Sequence, residues 1–279
     1  MLVPFLIMLR EGMEAALIVG IIASYLKQSG RGQYMPMVWA GVVVALVLCL
    51  AVGFGINAAE GQFPQRQQEL FEGIVALIAV VILTSMVFWM KQAARSIKAH
   101  LHDSIDAALN KGSGQAWALI GMVFFAVARE GLESVFFLMA AFQQDVGAAA
   151  PIGAVLGLLV AAGLGVALYQ GGIRLDLRKF FRWTGIFIVF VAAGLLAGAV
   201  KAFHEAGLWN GLQGIAFNLQ HVLPGDSPLG VILGGMFGYE DAPTVGELLA
   251  WIVFLIPALY LFLTSGKRVS APAVSTRSA

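Results

Sequence analysis

Two short stretches place three ionisable residues each inside otherwise apolar sequence. The chain reads REGME at residues 10–14 and REGLE at residues 129–133, 119 positions later. A helical turn of 3.6 residues puts the two glutamates of each motif on one face, with the arginine four residues from the second glutamate and able to pair with it. Each motif therefore presents two carboxylates and one guanidinium, a net charge of −1.

Two facing motifs bring four carboxylates and two arginines together, which suits a multivalent cation. A charged side chain at the centre of a membrane helix costs about 2.5–3.5 kcal/mol even on the gentler insertion scales, so six of them indicate function rather than packing. Interhelical salt bridges alone are the structural alternative, but they leave two acids without a partner. The predicted metal ligands are Glu11, Glu14, Glu130 and Glu133, with Arg10 and Arg129 as their charge partners.

Further candidate metal ligands lie toward the ends of the apolar segments. Glu69 and Glu72, again three residues apart, open the third apolar segment and are expected to face the external mouth as metal ligands. Their alternative role is to stabilise the start of a helix, whose dipole favours negative charge. His204 and Glu205, at the end of the sixth segment, are a further candidate outer contact for a metal.

Ligand type narrows the choice of ion. Carboxylate oxygens with little histidine favour hard cations over copper or zinc, which leaves magnesium, manganese, calcium and both states of iron. The lone Cys49 lies in an apolar run, so the sequence gives no disulfide framework and no thiolate cluster. No prosthetic group is implied. The chain also lacks an H-E-x-x-H motif, and we expect a transporter rather than a membrane-embedded enzyme.

The composition is that of a polytopic membrane protein. Of 279 residues, 59% are hydrophobic and 12% charged, against roughly 45–50% and about 25% in soluble domains. No basic block stands out, so no nucleic-acid partner is expected, and the surrounding lipid is the expected contact. Seven windows are long enough to cross the bilayer, and they lie at about 2–26, 37–57, 71–91, 116–141, 151–170, 183–203 and 247–265.

The distribution of basic residues predicts the orientation. The connections after spans one, three and five and the C-terminal tail carry 13 Lys and Arg, whereas the opposite side carries only Arg66 and Lys201. The positive-inside rule then puts the N-terminus outside and the C-terminus in the cytoplasm. The outer side is acidic, which raises the local cation concentration, although the charge bias alone also leaves an outer face acidic.

The chain is predicted to be all-α, with an inverted repeat of three plus three helices and one additional C-terminal helix. Each copy holds an odd number of spans, so the second copy enters the bilayer from the opposite face, as in many transporters. We expect a single transmembrane domain over 1–270, with repeat one at about 1–112, repeat two at about 113–205, and an outer loop and seventh helix at about 206–270. Residues 271–279 are predicted to be a disordered cytoplasmic tail.

An apolar stripe in the outer loop predicts one more helix, lying on the membrane surface. The stripe consists of Leu208, Leu212, Ile215, Leu219 and Val222.

The paired motifs, an E-x-x-E-G opening span three, and the stretches MVFFAVAREGLESVFF, AAFQQDVG, KAFHEAGLWN and LIPAL together resemble the oxidase-dependent iron transporter family, most closely its bacterial EfeU-type iron permeases. The one departure in the motifs is Met13, where the family usually has leucine. The resemblance implies iron import across the bacterial cytoplasmic (inner) membrane, with iron as transported substrate and the motif glutamates binding it. It also implies an iron-oxidising partner for the family in general, and for EfeU-type permeases a periplasmic iron-binding protein and a haem peroxidase or other iron oxidase. The alternative function is transport of another divalent metal, manganese or lead, on the same scaffold.

Overall fold

A computed structural model describes residues 2–60, 64–93, 105, 115–143, 149–170 and 176–264. Each of the seven apolar windows falls on one long helix, and the predicted tail at 271–279 lies outside the described residues. The helices are α1 (Leu2–Gln28), α2 (Met35–Glu60), α3 (Gln65–Ala93), α4 (Gln115–Gln143), α5 (Ala149–Tyr169), α6 (Leu177–Glu205), α7 (Pro228–Phe237) and α8 (Val245–Thr264).

Five stretches of the described chain are helices long and apolar enough to cross a membrane. They are Gly32–Ala58, Gln65–Phe88, Ala150–Tyr169, Lys179–Glu205 and Val245–Thr264. The two other long helices, α1 with 27 residues and α4 with 29, have the length but carry the two charged motifs. The protein is an all-helical, multi-pass membrane protein.

The long helices pack in pairs across the chain. Helix α1 packs mainly on α5, α2 on α4 and α3 on α6, while α1 also contacts α4 and α8 covers α6. One apolar core joins α1, α3, α4, α6 and α8 and includes Ile7 and Phe137. A second core joins α1, α2 and α4 and includes Ile22 and Leu119. Along α1 and along α4, the charged motif lies between the two cores.

Glycines allow the closest helix approaches. A Cβ on Gly157 of α5 would lie 2.3 Å from the carbonyl oxygen of Phe5 in α1, and a Cβ on Gly41 of α2 would lie 2.8 Å from that of Ile120 in α4. Both distances are far below van der Waals contact with backbone atoms that have no room to move aside. Small residues at such positions are what lets membrane helices pack backbone to backbone.

Gly157→Ala is therefore expected to destabilise the α1–α5 pair, by about 1–3 kcal/mol as overpacked sites usually do. Gly163→Ala on the same helix is the matched control, because no atom lies within 4 Å of a Cβ there. Thermal unfolding of the detergent-solubilised protein measures the difference. Equal melting temperatures for the two variants would contradict the close packing of α5 on α1.

The predicted surface helix of the outer loop is wrong. Residues 206–227 form turns and extended segments, and Leu212 adopts a left-handed backbone with φ of 62°. The segment is instead tied to the chain before α8: the Ala216 amide donates to the Pro243 carbonyl at 2.9 Å, and the Val245 amide to the Gly214 carbonyl at 2.8 Å. Glycine and proline recur through this loop, and they interrupt a helix whatever the spacing of its apolar residues.

Helix α7 is an element that the hydropathy pattern did not predict. It begins at Pro228 with Ser227 as its N-cap, the serine hydroxyl accepting from the Gly230 amide at 3.0 Å, and it ends at Gly238 with φ of 67°. Serine followed by proline at the first helical position, with glycine just past the end, is a recognisable start and stop signal. At 10 residues the helix is too short to span a bilayer.

Candidate metal centre

The two charged motifs come together where α1 contacts α4, and the motif glycines make room for the neighbouring helices. A Cβ on Gly12 would lie 2.7 Å from the Cβ of Ala161 in α5, and one on Gly131 would lie 2.5 Å from the sulfur of Cys49 in α2. Each glycine thus lets a helix of the other half of the chain lie directly against the motif. This packing removes the glutamates on the neighbouring positions from solvent.

Three of the four motif glutamates form a compact oxygen set. Glu11, Glu130 and Glu133 each offer one carboxylate oxygen, and these oxygens lie within 4.8 Å of one another. The first two side chains are buried, at 1% and 6% exposure. Neither oxygen of Glu11, nor Oε2 of Glu130 or Glu133, accepts a hydrogen bond. Buried carboxylates at this spacing repel one another and are stabilised by a shared cation.

The fourth glutamate, Glu14, lies outside that set. Its Oε1 is 3.1 Å from Nε of Arg10, whose Nη1 is also 3.9 Å from Oε1 of Glu11. In the second motif, Nε of Arg129 donates to Oε1 of Glu133 at 3.0 Å. Both ion pairs predicted between residues four positions apart are therefore confirmed. The two motifs differ in that the second glutamate of the second motif, Glu133, belongs to the three-carboxylate set, whereas Glu14 of the first motif does not.

The arginines differ in burial. Arg10 is 1% exposed, whereas the side chain of Arg129 is 52% exposed. Arg129 opens into a cavity of about 410 Å³ between α2, α3 and α4, whose other lining residues are apolar except for Glu133. The second motif is thus the more accessible side of the centre.

A larger cavity of about 930 Å³ lies among α3, α4, α6, α7, α8 and the loops that join the last three; we call it the vestibule. One lysine, Lys201, is the only Lys or Arg among its described lining residues. The carboxylates that line the vestibule are Glu69, Glu72, Glu205, Glu240, Asp241 and Glu247. Such a concentration of one charge in a recess raises the local concentration of cations.

Hydrogen bonds hold the acidic groups of the vestibule in place. Glu247, at the start of α8, accepts from the Thr244 hydroxyl at 2.9 Å and from its amide at 3.3 Å. Lys201 donates to Oε1 of Glu240. Burial raises the pKa of Glu240, but a hydrogen bond with Glu247 and the nearby ammonium of Lys201 outweigh it, so this pKa lies below its ordinary value.

The predicted outer residues divide into two groups. Glu69, Glu72 and Glu205 line the vestibule. His204 does not: its Nε2 lies 3.1 Å from the Gly211 carbonyl oxygen, and its ring packs beside Trp209 with centroids 5.0 Å apart. The described structure therefore brings the three glutamates to one cavity and places the histidine in the fold of the outer loop.

Buried apolar residues, here called the apolar layer, lie along the helices between the vestibule and the metal centre. Ala140 lines the vestibule, and Phe137 lies between Ala140 and Glu133 on α4. Phe137 and Ile7 have no exposed surface and belong to the same core. Along α4, the seven residues from Glu133 to Ala140 span about 10 Å. Phe137 therefore offers water no surface along this part of α4.

Four charged residues of the vestibule were not predicted from the sequence as site residues: Lys201, Glu240, Asp241 and Glu247. Glu247 lies in the seventh window, yet the series T-V-G-E at 244–247 is a capping box, which marks a helix start and therefore an end of the span. Lys201 was counted only as one of the two basic residues on the predicted outer side. Its pairing depends on residues 39 positions away and has no local signal.

Comparison with known proteins gives the following relationships. A family model described as "Iron permease FTR1 family" matches residues 1–269. "Ferrous iron permease EfeU" of Yersinia pestis is 63% identical over 275 residues, covering 99% of this chain and 98% of the relative. The protein of the same name from Escherichia coli O157:H7 is 59% identical over 279 residues, covering both chains in full. No solved structure matches the chain. The names of these relatives describe permeases, which are transporters and not enzymes.

Proposed function

Because the chain belongs to the iron permease FTR1 family, we propose that it imports iron across the cytoplasmic (inner) membrane through the carboxylate set of Glu11, Glu130 and Glu133. The observation that carries this proposal is the close approach of these three carboxylate oxygens, with buried oxygens that accept no hydrogen bond. Hard oxygen ligands suit ferrous and ferric iron as well as manganese. The relatives' printed names specify ferrous iron, and we extend that to this chain.

The vestibule is the entrance in this proposal. Glu69, Glu72 and Glu205 attract the ion from the outer side, and it then passes the apolar layer to reach the metal centre. Glu14 stays with Arg10, which supports the geometry of the centre from one side. Opening toward the cytoplasm requires a second conformation, as alternating access does in general.

Uptake by proteoliposomes tests the function. Vesicles containing the protein are expected to accumulate radioactive iron supplied as Fe²⁺ with ascorbate, while vesicles with a Glu11→Gln/Glu130→Gln double variant stay at the background of empty vesicles. Manganese and lead are offered in parallel at equal concentrations. Faster uptake of either metal than of iron would favour the alternative function on this scaffold.

The helix pairing supports seven spans with an inverted repeat. An inverted repeat makes α4 the counterpart of α1, α5 that of α2 and α6 that of α3. If each helix is replaced by its counterpart, the α1–α5 contact becomes the α4–α2 contact. The α3–α6 and α1–α4 contacts stay the same. All four contacts occur. The core that includes Ile7 near the start of α1 also includes Phe137 near the end of α4, as antiparallel copies require. In this proposal α1 and α4 span the bilayer, and α8 lies outside the repeat.

The orientation is predicted from charge, with the N-terminus outside and the C-terminus in the cytoplasm. Cys49 is buried, so single introduced cysteines report their own side. Gln220→Cys in the outer loop should react with an impermeant maleimide added to intact spheroplasts, and Ser29→Cys at the end of α1 only after the membrane is opened. Both wild-type residues are exposed. The reverse labelling pattern would overturn the orientation.

The partners implied by the family resemblance remain part of the proposal. A periplasmic iron-binding protein and a haem peroxidase, or another iron oxidase, would deliver iron at the outer face. The acidic vestibule supports delivery of a cation on that side.

A further inference from the structure

Lys201 occupies a position that cation transport alone does not explain. It lies near the end of α6, and its ammonium pairs with Glu240 across the vestibule. Glu205 and Glu247 are also close enough to interact with it electrostatically. Its side chain is 46% exposed, so the pair is in contact with the space of the vestibule. A positive charge at an entrance for cations repels the transported ion, so the presence of Lys201 there calls for a separate explanation.

We propose that Lys201 is a tethered counter-ion that holds the carboxylates of the vestibule against monovalent cations and is displaced by an entering multivalent cation. This inference rests on the proposed function of cation transport. It assigns a specificity role to a residue outside the metal centre. Until a multivalent cation enters, the ammonium neutralises one carboxylate, so sodium or potassium from the medium has to compete with it for that carboxylate.

The physical argument is one of competition. A tethered ammonium competes with every cation for the same oxygens, and its effective concentration is fixed by the chain rather than by the medium. The ammonium lowers the apparent affinity of the vestibule for a multivalent ion. Because sodium must compete with the ammonium as well, the sodium concentration that inhibits binding of the multivalent ion rises by the same factor. Loading of the vestibule then becomes insensitive to changes in external salt. A bound divalent or trivalent ion still gains more from several carboxylates than the single ammonium does.

The side chains around Lys201 fit a displaceable contact. The ammonium and its partner belong to different elements, since Lys201 lies on α6 and Glu240 lies between α7 and α8. Glu247 has its own donors in Thr244, so it stays in place when the lysine moves. Lysine is a compact charge on a flexible stem and can withdraw toward solvent, whereas the planar fork of arginine favours a fixed bidentate contact.

Terbium binding measures this directly in the full-length, detergent-solubilised protein. Tb³⁺ is a hard trivalent probe, and Trp251 lines the vestibule and can sensitise its luminescence. The part of the signal that is lost in Trp251→Phe is assigned to the vestibule. Titrations are run without salt, and then with sodium at a Tb³⁺ concentration well below half-saturation. N-methylglucamine chloride at equal ionic strength corrects for screening.

For Lys201→Gln, the half-saturating Tb³⁺ concentration in salt-free medium is expected to fall about tenfold, equivalent to about 1.4 kcal/mol. The sodium concentration that displaces half of the probe should fall by the same factor. Lys201→Arg keeps the charge and can hold a carboxylate at two points, so neither quantity should fall below its wild-type value. Arg66→Gln is the matched control, because Arg66 lies on the same predicted side but donates to the Ala206 carbonyl and does not line the vestibule.

Several results would overturn the inference. These are unchanged values in Lys201→Gln, a shift in only one of the two quantities, or an equal shift in Arg66→Gln. If Lys201→Gln fails to fold, Lys201→Met is the second variant, because it removes the charge and keeps an unbranched side chain, and the same two changes are expected of it. A wild-type protein without a Trp251-dependent signal refutes the role of Lys201, and iron uptake by the same protein separately decides the proposed function.

Discussion

Glu133→Gln is expected to lower the affinity of the metal centre by about 100-fold or more, and to lower it further than Glu14→Gln does. The two residues are matched: each is the second glutamate of its motif and each pairs with its own arginine, at 3.0 Å and 3.1 Å. Only Glu133 belongs to the three-carboxylate set. Two unit charges 4 Å apart attract by about 4 kcal/mol at an effective dielectric constant near 20, and a divalent ion doubles this.

Equilibrium binding of Mn²⁺, an oxidation-stable substitute for Fe²⁺, measures the affinity, and iron uptake at saturating concentration measures transport. Both variants should lose most transport, because Glu14 supports Arg10 and the charge of the centre, but only Glu133→Gln should lose the binding itself. Equal binding losses would show that all four motif glutamates hold the ion. Wild-type uptake by both variants at normal expression would remove the motifs from the mechanism altogether.

Arg10→Gln should destabilise the protein much more than Arg129→Gln. Arg10 is buried between Glu11 and Glu14, and removing one partner of a buried ion pair costs about 3–5 kcal/mol because the remaining charge stays buried. The Arg129 side chain is half exposed, and its ion pair with Glu133 is less enclosed than that of Arg10. Removing Arg129 therefore leaves its partner carboxylate less completely enclosed than removing Arg10 does, and the loss of stability should be smaller.

Thermal unfolding in detergent and the amount of folded protein in membranes measure this difference. Arg10→Lys is the second comparison, because it keeps the charge but loses the planar fork that reaches two carboxylates; it should recover part of the stability. Melting temperatures that fall equally for Arg10→Gln and Arg129→Gln would contradict the different burial of the two motifs.

The sequence predicted the helices and the motif pairs because both depend on local spacing. Apolar windows of about 20 residues can only form helices in lipid, and an arginine four residues before a glutamate pairs with it on any helix. The resemblance to iron transporters was equally local, since it depended on short motifs and stretches of consecutive residues. Comparison with known proteins confirmed it.

The structure added what depends on contacts between distant segments. Four glutamates were predicted to share the ion, and the contact between α1 and α4 places one oxygen each of Glu11, Glu130 and Glu133 within 4.8 Å of one another. The outer loop was expected to be helical, yet its amides pair with the segment before α8. Lys201 and Glu240 meet only because the chain after α7 folds back over α6. None of these arrangements leaves a periodic pattern in the sequence.

The apolar layer of Phe137 and Ile7 has an electrical consequence. Phe137 and Ile7 have no exposed surface, so on the proposed import path the ion crosses a stretch without water, and part of the membrane voltage falls over that stretch. A divalent cation that moves inward through 100 mV, negative inside, releases about 4.6 kcal/mol, at about 2.3 kcal/mol per elementary charge. An open aqueous path would let protons and potassium dissipate that voltage. A closed layer between transport events preserves it as a driving force for the next ion.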